Sequence, residues 1–313
     1  MRSFLAYAQL VRLPNVFTAW ADILLGLIVT GGFWAGEGEL RSFHFTRVGA
    51  FLCLLISSTA LYWAGMVWND YFDLDEDRRD RPGRPLASGR IPVHTAVTLG
   101  IALLGGGVLF ALLADLQADS IRFVSTSIAL CLVVAILLYD GALKQTMLGP
   151  ATMGACRFLN ILLGLSVIGA FPPVWGVLLA LVIGTYVAGV TMFARSEATT
   201  SDATDLKTAA IVIGASLLLA LAVPALAQSR DDFSTSVLFP YLLVAFAFYV
   251  GLAVVPAIRS PSPAKVQPAV KRAILGLVLL DALLASSLVG TLGLFLAILL
   301  IPGIFLGRWI YST

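Results

Sequence analysis

Charge is scarce in this sequence. Lys, Arg, Asp and Glu make up 12% of its 313 residues, against roughly 25% in soluble domains. Hydrophobic residues reach 59%, so an ordinary water-soluble fold is excluded. Cysteine is nearly absent. Cys53, Cys131 and Cys156 stand singly in apolar runs without CxxC spacing, which argues against disulfides and a thiolate metal site and reads as three small buried hydrophobes. The two histidines, His44 and His94, sit at segment edges with no partner close in sequence and read as plain interface residues. No linker or soluble insertion breaks the chain, so residues 1–313 read as a single transmembrane domain. A cleavable leader is not expected, because Arg12 and Pro14 interrupt the first apolar stretch before an h-region of useful length forms.

What the sequence has in abundance is long apolar runs. A span needs about 20 apolar residues to cross a ~30 Å hydrocarbon core. Runs that fit are centred on Val16 to Phe33, Val48 to Trp68, Ala96 to Leu113, Val124 to Tyr139, Leu148 to Ile168, Val174 to Phe193, Ala209 to Leu226, Leu238 to Ala257 and Ala273 to Val289. A further run, Leu292 to Gly307, is either a tenth span or the end of a broken ninth. The fold class expected is therefore all-α, a polytopic transmembrane bundle of nine or ten spans. Of the 20 Lys and Arg, fourteen fall on the side of the N-terminus and four (Arg41, Arg47, Arg122 and Arg230) on the other, leaving Arg157 in a span and Arg308 near the end. By the positive-inside rule the N-terminus is cytoplasmic. The same bias accounts for the formal net charge of +2, so no nucleic-acid partner is implied.

The densest polar stretch is Asn69-Asp70-Tyr71-Phe72-Asp73-Leu74-Asp75-Glu76-Asp77, directly after the second apolar run. About 23 residues at ~1.5 Å each carry the chain from Arg47 across ~34 Å, so these carboxylates begin at the membrane surface. Asn69, Asp73 and Asp77 recur every fourth residue and stack on one face if the helix runs on past Asn69. Such a stripe repels itself unless a cation neutralises it, and magnesium is commonly held by one or two carboxylates plus substrate phosphates. Arg78, Arg79, Arg81 and Arg84 follow and are suited to the same phosphates. A solvated mixed-charge loop is the plain alternative.

Further polar breaks on the same side hold Tyr139, Asp140 and Lys144, then Arg195, Glu197, Asp202 and Asp205; together they either line one polar chamber or form ordinary solvated loops. Arg157 and Asn160 lie three apart inside the fifth span and share a helix face. A charge there costs roughly 2.5–3.5 kcal/mol on insertion scales, so Arg157 is expected to face inward, toward a carboxylate or an anionic ligand. Snorkelling to the membrane face is its alternative.

Asn69-Asp70-x-x-Asp73-x-x-x-Asp77 with Arg84-Pro85-Leu86-x-Ser88-Gly89 resembles the first signature of the UbiA superfamily of intramembrane prenyltransferases. The likeness extends to Arg12-Leu13-Pro14-Asn15, to the Tyr139 and Lys144 turn, to Leu148-Gly149 and to an acidic loop after the sixth span. The resemblance implies a helical bundle around a lipid-open central cavity. It implies Mg2+-dependent transfer of an isoprenoid from an allylic prenyl diphosphate to a hydrophobic acceptor, aromatic or lipid-like. Asn69, Asp70, Asp73 and Asp77 would then hold magnesium and diphosphate, Lys144 would neutralise the leaving diphosphate, and Asn15 would face the same chamber. Tyr62, Arg84, Tyr139, Asn160 and Arg195 are further substrate-binding candidates, and Asp73 and Arg157 join Lys144 as catalytic ones. The bacterial cytoplasmic membrane is the expected location.

Two departures from the pattern bear on substrate. Family members with a hydroxybenzoate acceptor carry an arginine seven residues before the motif asparagine, where this chain has Tyr62, so a benzoate acceptor is not expected. The second acidic loop, 194–205, lacks a pair of well-spaced aspartates, so a second magnesium site would need Glu197, Asp202 or Asp205 in altered roles. With Cys156-Arg157-x-Leu159-Asn160 this pattern resembles a divergent branch, the member encoded in ebo biosynthetic clusters. Besides a prenyltransferase, a transporter or export component and a catalytically silent membrane scaffold are the other classes; no strong internal repeat favours transport.

Overall fold

A computed structural model describes residues 2–35, 42–43, 45–117, 122–195, 203–228 and 235–310. Each of the nine expected apolar runs is helical. Helix α1 (Arg2–Leu10) leads into α2 (Val16–Val29) through a bend of 49°. Arg12 adopts a left-handed conformation (φ 48) and Pro14 lacks the N–H that a continuous helix needs, so the chain pivots there and opens a short 3-10 turn, Leu13–Asn15. A two-residue antiparallel ladder, β1 (Trp34–Ala35) with β2 (Ser42–Phe43), follows α2 and leaves the bundle all-helical in class.

Helix α3 (Phe45–Phe72) continues almost without interruption into α4 (Leu74–Asp80). The amide of Asp73 bonds to the Asn69 carbonyl at 3.0 Å and that of Asp77 to the Asp73 carbonyl at 2.8 Å, so helical spacing carries through the acidic stretch. Then follow α5 (Val93–Asp115), α6 (Val124–Leu138), α7 (Gly149–Leu165), α8 (Val174–Arg195), α9 (Ala203–Ala220), α10 (Ala222–Ala227), α11 (Phe239–Arg259), α12 (Pro263–Val289) and α13 (Leu300–Trp309). Asp115 anchors the start of α6 by accepting from the amides of Ser125 (3.0 Å) and Thr126 (2.8 Å), donors that a helix N-terminus otherwise leaves open.

Among the described residues eight helical stretches are long and apolar enough to cross a membrane, nine if the bent α1–α2 pair is one span. The last of the eight runs from Pro263 to Trp309, 47 residues. Gly290 takes a positive φ (71), Gly293 packs on the backbone of Ala285 and Ser286, and Gly303 and Gly307 end beside Pro14. The run from 292 to 307 thus returns along α12 toward the end where α2 begins, rather than prolonging that helix.

Among the described residues three apolar clusters hold the bundle together. The largest joins α8, α9, α11 and α12 to α2 and α7, the second joins α2, α3, α5, α6 and α7, and the third packs α1 on α3 and the start of α5. Helices approach most closely where glycine faces backbone, Gly26 against Gly164 (α2–α7) and Gly154 against Gly184 (α7–α8). In lipid, packing of small residues replaces the hydrophobic drive between helices, and a Cβ at either crossing would push these backbones apart. The two crossings draw α7 into the middle of the bundle, where its polar face meets α2 and α3.

Candidate active site

A cavity of about 430 Å³ opens among α2, α3, α6, α7, α8 and α12. Its walls are mostly aliphatic, from Leu61, Leu132, Ile136, Val187, Ile274 and Leu277, and polar groups gather in two places.

The first is the mouth. A π-helical turn, Tyr139–Leu143, ends α6 and swings Lys144 toward α3. Its ammonium donates to Asn69 Oδ1 at 2.8 Å and lies in direct contact with the Asp73 carboxylate, to which Asn69 Nδ2 also donates at 3.2 Å. Tyr139, Asp140, Arg81 and Arg84 line the same mouth. Arg195 does not line the cavity; its guanidinium donates to the Lys144 backbone carbonyl, so it steadies the turn.

Asp70 and Asp77 point elsewhere. Arg84 donates to Asp77 Oδ2 at 2.6 Å and to Asp70 Oδ1 at 3.4 Å, and Arg12 reaches Asp70 Oδ1 at 3.5 Å. Asp70 faces a second, basic hollow of about 370 Å³ lined by Gln9, Arg12, Arg81, Arg84 and Arg90. The acidic stretch is therefore continuous in backbone and divided in side chains. Asn69 and Asp73 face the cavity, while Asp70 and Asp77 are buried against arginines.

The second polar group is the floor. Arg157 donates to Asp22 Oδ2 at 3.0 Å and to Thr18 Oγ1 at 2.5 Å. Asn160 donates to the same Asp22 oxygen at 2.7 Å and accepts from Ser58 Oγ at 2.7 Å. Tyr62 and Asn15 both line the cavity. The inward-facing reading of Arg157 holds, and its partner is a carboxylate.

Among the described residues no three His, Cys, Asp or Glu side chains gather round a common point. Asn69 Oδ1 and Asp73 Oδ2 are nevertheless hard oxygen donors aimed at one spot, now taken by an ammonium. That donor set fits a divalent ion completed by substrate phosphates. Glu197 and Asp202 lie outside the described residues.

Residues 24–267 match the UbiA prenyltransferase family. The chain belongs to that family. A digeranylgeranylglyceryl phosphate synthase of Sulfurisphaera tokodaii is 31% identical over 140 residues, 45% of this chain and 44% of that protein. The chain thus spans about half the length of the curated relatives it matches. A solved structure concerned with digeranylgeranylglyceryl phosphate synthase superposes with a TM-score of 0.63 at 19% identity, covering 92% of this chain and 99% of the other. A UbiA homologue from Archaeoglobus fulgidus bound to GPP and Mg2+ superposes at 0.62 and 16% identity, covering 93% and 99%.

In this UbiA family member the cavity brings together Asn15, Tyr62, Asn69, Asp73, Arg84, Tyr139, Lys144, Arg157 and Asn160, all singled out from sequence. Sequence reasoning missed Asp22 and Asp281. Each is a lone carboxylate inside an apolar run, and the cost of intramembrane charge that drew attention to Arg157 applies equally to both.

Proposed function

We propose that the chain transfers an isoprenoid from an allylic prenyl diphosphate to a hydrophobic acceptor within the membrane, with Mg2+ as cofactor. The observation that carries this reading is the mouth itself: an ammonium, an amide oxygen and a carboxylate converge at the rim of an aliphatic cavity in a UbiA family bundle.

Asn69 and Asp73 would hold the magnesium, which when bound offsets charge on the diphosphate. Lys144 supplies a compact positive charge to the leaving oxygens as the allylic C–O bond breaks. Arg81 and Arg84 extend that positive rim. The aliphatic walls take the isoprenoid chain and keep water from the carbocation, which otherwise would be captured as an alcohol. The new bond forms between the allylic carbon and the acceptor, whose displaced proton leaves the site.

The acceptor in this reading is a lipid-like molecule or a non-benzoate aromatic. Tyr62 offers no charge to a carboxylate, and Arg157 is already engaged by Asp22. The mouth, the N-terminus and the Asp-rich turn face the cytoplasm of a bacterial cell, following the distribution of Lys and Arg, and residues 1–313 act as one domain.

The test is incubation of the purified protein with Mg2+ and prenyl diphosphates of several lengths in lipid extract. Released diphosphate and extracted prenylated lipids are the readouts. Diphosphate release without a prenylated lipid would point to hydrolysis, and neither product would favour a silent scaffold.

A further inference from the structure

The cluster behind the cavity floor contains two carboxyl groups and one cation. Asp22 on α2 and Asp281 on α12 are both 0% exposed. Oδ2 of Asp22 accepts from Arg157 and Asn160, whereas its Oδ1 and both oxygens of Asp281 have no donor. The two carboxyl groups face one another across the contact between α2 and α12. Among the described residues the charged and titratable groups facing them are Arg157 from α7 and, beyond it, Tyr62 from α3. Asp22 stands one turn beyond Thr18, and Asp281 one turn beyond Leu277, both of which line the cavity. The pair therefore sits immediately behind the floor.

Two ionised carboxylates meeting through oxygens that no donor reaches would repel one another, and each unpaired buried charge costs several kcal/mol. One proton between them turns the repulsion into a hydrogen bond and satisfies an orphaned oxygen on each side. It also leaves one negative charge against one guanidinium.

We propose that Asp22 and Asp281 bind a single proton between their carboxyl groups, and that this shared proton makes the cavity floor electroneutral and so selective against acceptors with an anionic head. The selectivity rests on the prenyl-transfer reading; the proton site does not. A hard monovalent cation among the same oxygens is the competing occupant.

Infrared difference spectra of the protein in lipid nanodiscs test the proton. Relative to Asp22→Asn and Asp281→Asn, the wild type should show one additional carboxylic C=O band that shifts in heavy water, any band of the buried Asp140 carboxyl being common to all three. Asp22→Asn and Asp281→Asn should each lose it, since either variant leaves one carboxylate facing one guanidinium. Survival of that additional band in Asp281→Asn, or its absence from the wild type, overturns the proposal. So does a band that vanishes when sodium replaces potassium, which would put a metal ion in the site. Benzoate binding, followed calorimetrically, tests the selectivity. The wild type and both single variants should bind weakly, and Asp22→Asn/Asp281→Asn, which leaves Arg157 uncompensated, should gain about tenfold. Equal affinity in all four proteins overturns the selectivity, and the infrared comparison of wild type with Asp281→Asn stands alone if the double variant does not fold. Neither readout needs turnover, so a failure here is distinguishable from a failure to transfer prenyl groups.

Discussion

Arg157 on α7 and Asp22 on α2 form an ion pair of 3.0 Å inside the bundle, with side-chain exposures of 15% and 1%. Breaking a buried pair by removing one partner costs more than the pair itself is worth, because the survivor stays buried and charged. Arg157→Met, which leaves the buried carboxyl pair without its one cation, should destabilise the protein by about 3–5 kcal/mol. Adding Asp22→Asn should recover part of that loss. Thermal melting of both variants in the same lipid measures it, and additive losses would show that the two residues do not depend on one another.

Asp73 presents its carboxylate to the cavity between Asn69 and Lys144. Asp73→Asn keeps the shape and removes the charge. Diphosphate release should fall by about 10²-fold or more, the scale at which one stabilising group is lost from a preorganised site, with membrane insertion unchanged. Activity within a few-fold of wild type would remove Asp73 from the site.

Lys144 is the cation in contact with that carboxylate. Lys144→Ala should weaken competitive inhibition by inorganic diphosphate about tenfold, a loss of about 1.4 kcal/mol. Lys144→Arg should restore it incompletely, since a planar guanidinium does not reproduce a compact ammonium. Equal inhibition constants in wild type and Lys144→Ala would reduce the residue to a topology signal.

Among the described residues the cation at the floor, Arg157, is already engaged by Asp22. The wild type should show negligible turnover of 4-hydroxybenzoate at millimolar concentration in an assay that detects prenylated lipid acceptors. Efficient prenylation that disappears in Arg157→Leu would show that the arginine reads the acceptor carboxylate despite Asp22.

Much of the architecture was legible because lipid imposes a simple rule. A chain in hydrocarbon must satisfy its backbone within helices, so the length of each apolar run defines a span without reference to its neighbours. The fourfold spacing from Asn69 to Asp77 was readable for the same local reason, and its helical hydrogen bonds are present. The return of the chain after Gly290 was not readable. The run from 292 to 307 is as apolar as a helical extension would be, and the reversal depends on what Gly293, Gly303 and Gly307 pack against.

The sequence alone determined what is local: a membrane bundle, an acidic turn at its surface, a lysine in the next break and an arginine inside a span. Each follows from local composition or spacing. Tertiary structure decided how those charges are shared out. Asp73 reaches Lys144 and the cavity, Asp70 and Asp77 turn to Arg84, and Arg157 meets Asp22 with Asp281 behind it. The partners of these contacts lie as far apart in sequence as Asp22 and Asp281 and are brought together by helix crossings such as Gly26 on Gly164. Electrostatic pairing falls off over a few ångströms, so it depends on those crossings and leaves no trace in the spacing of residues along one helix.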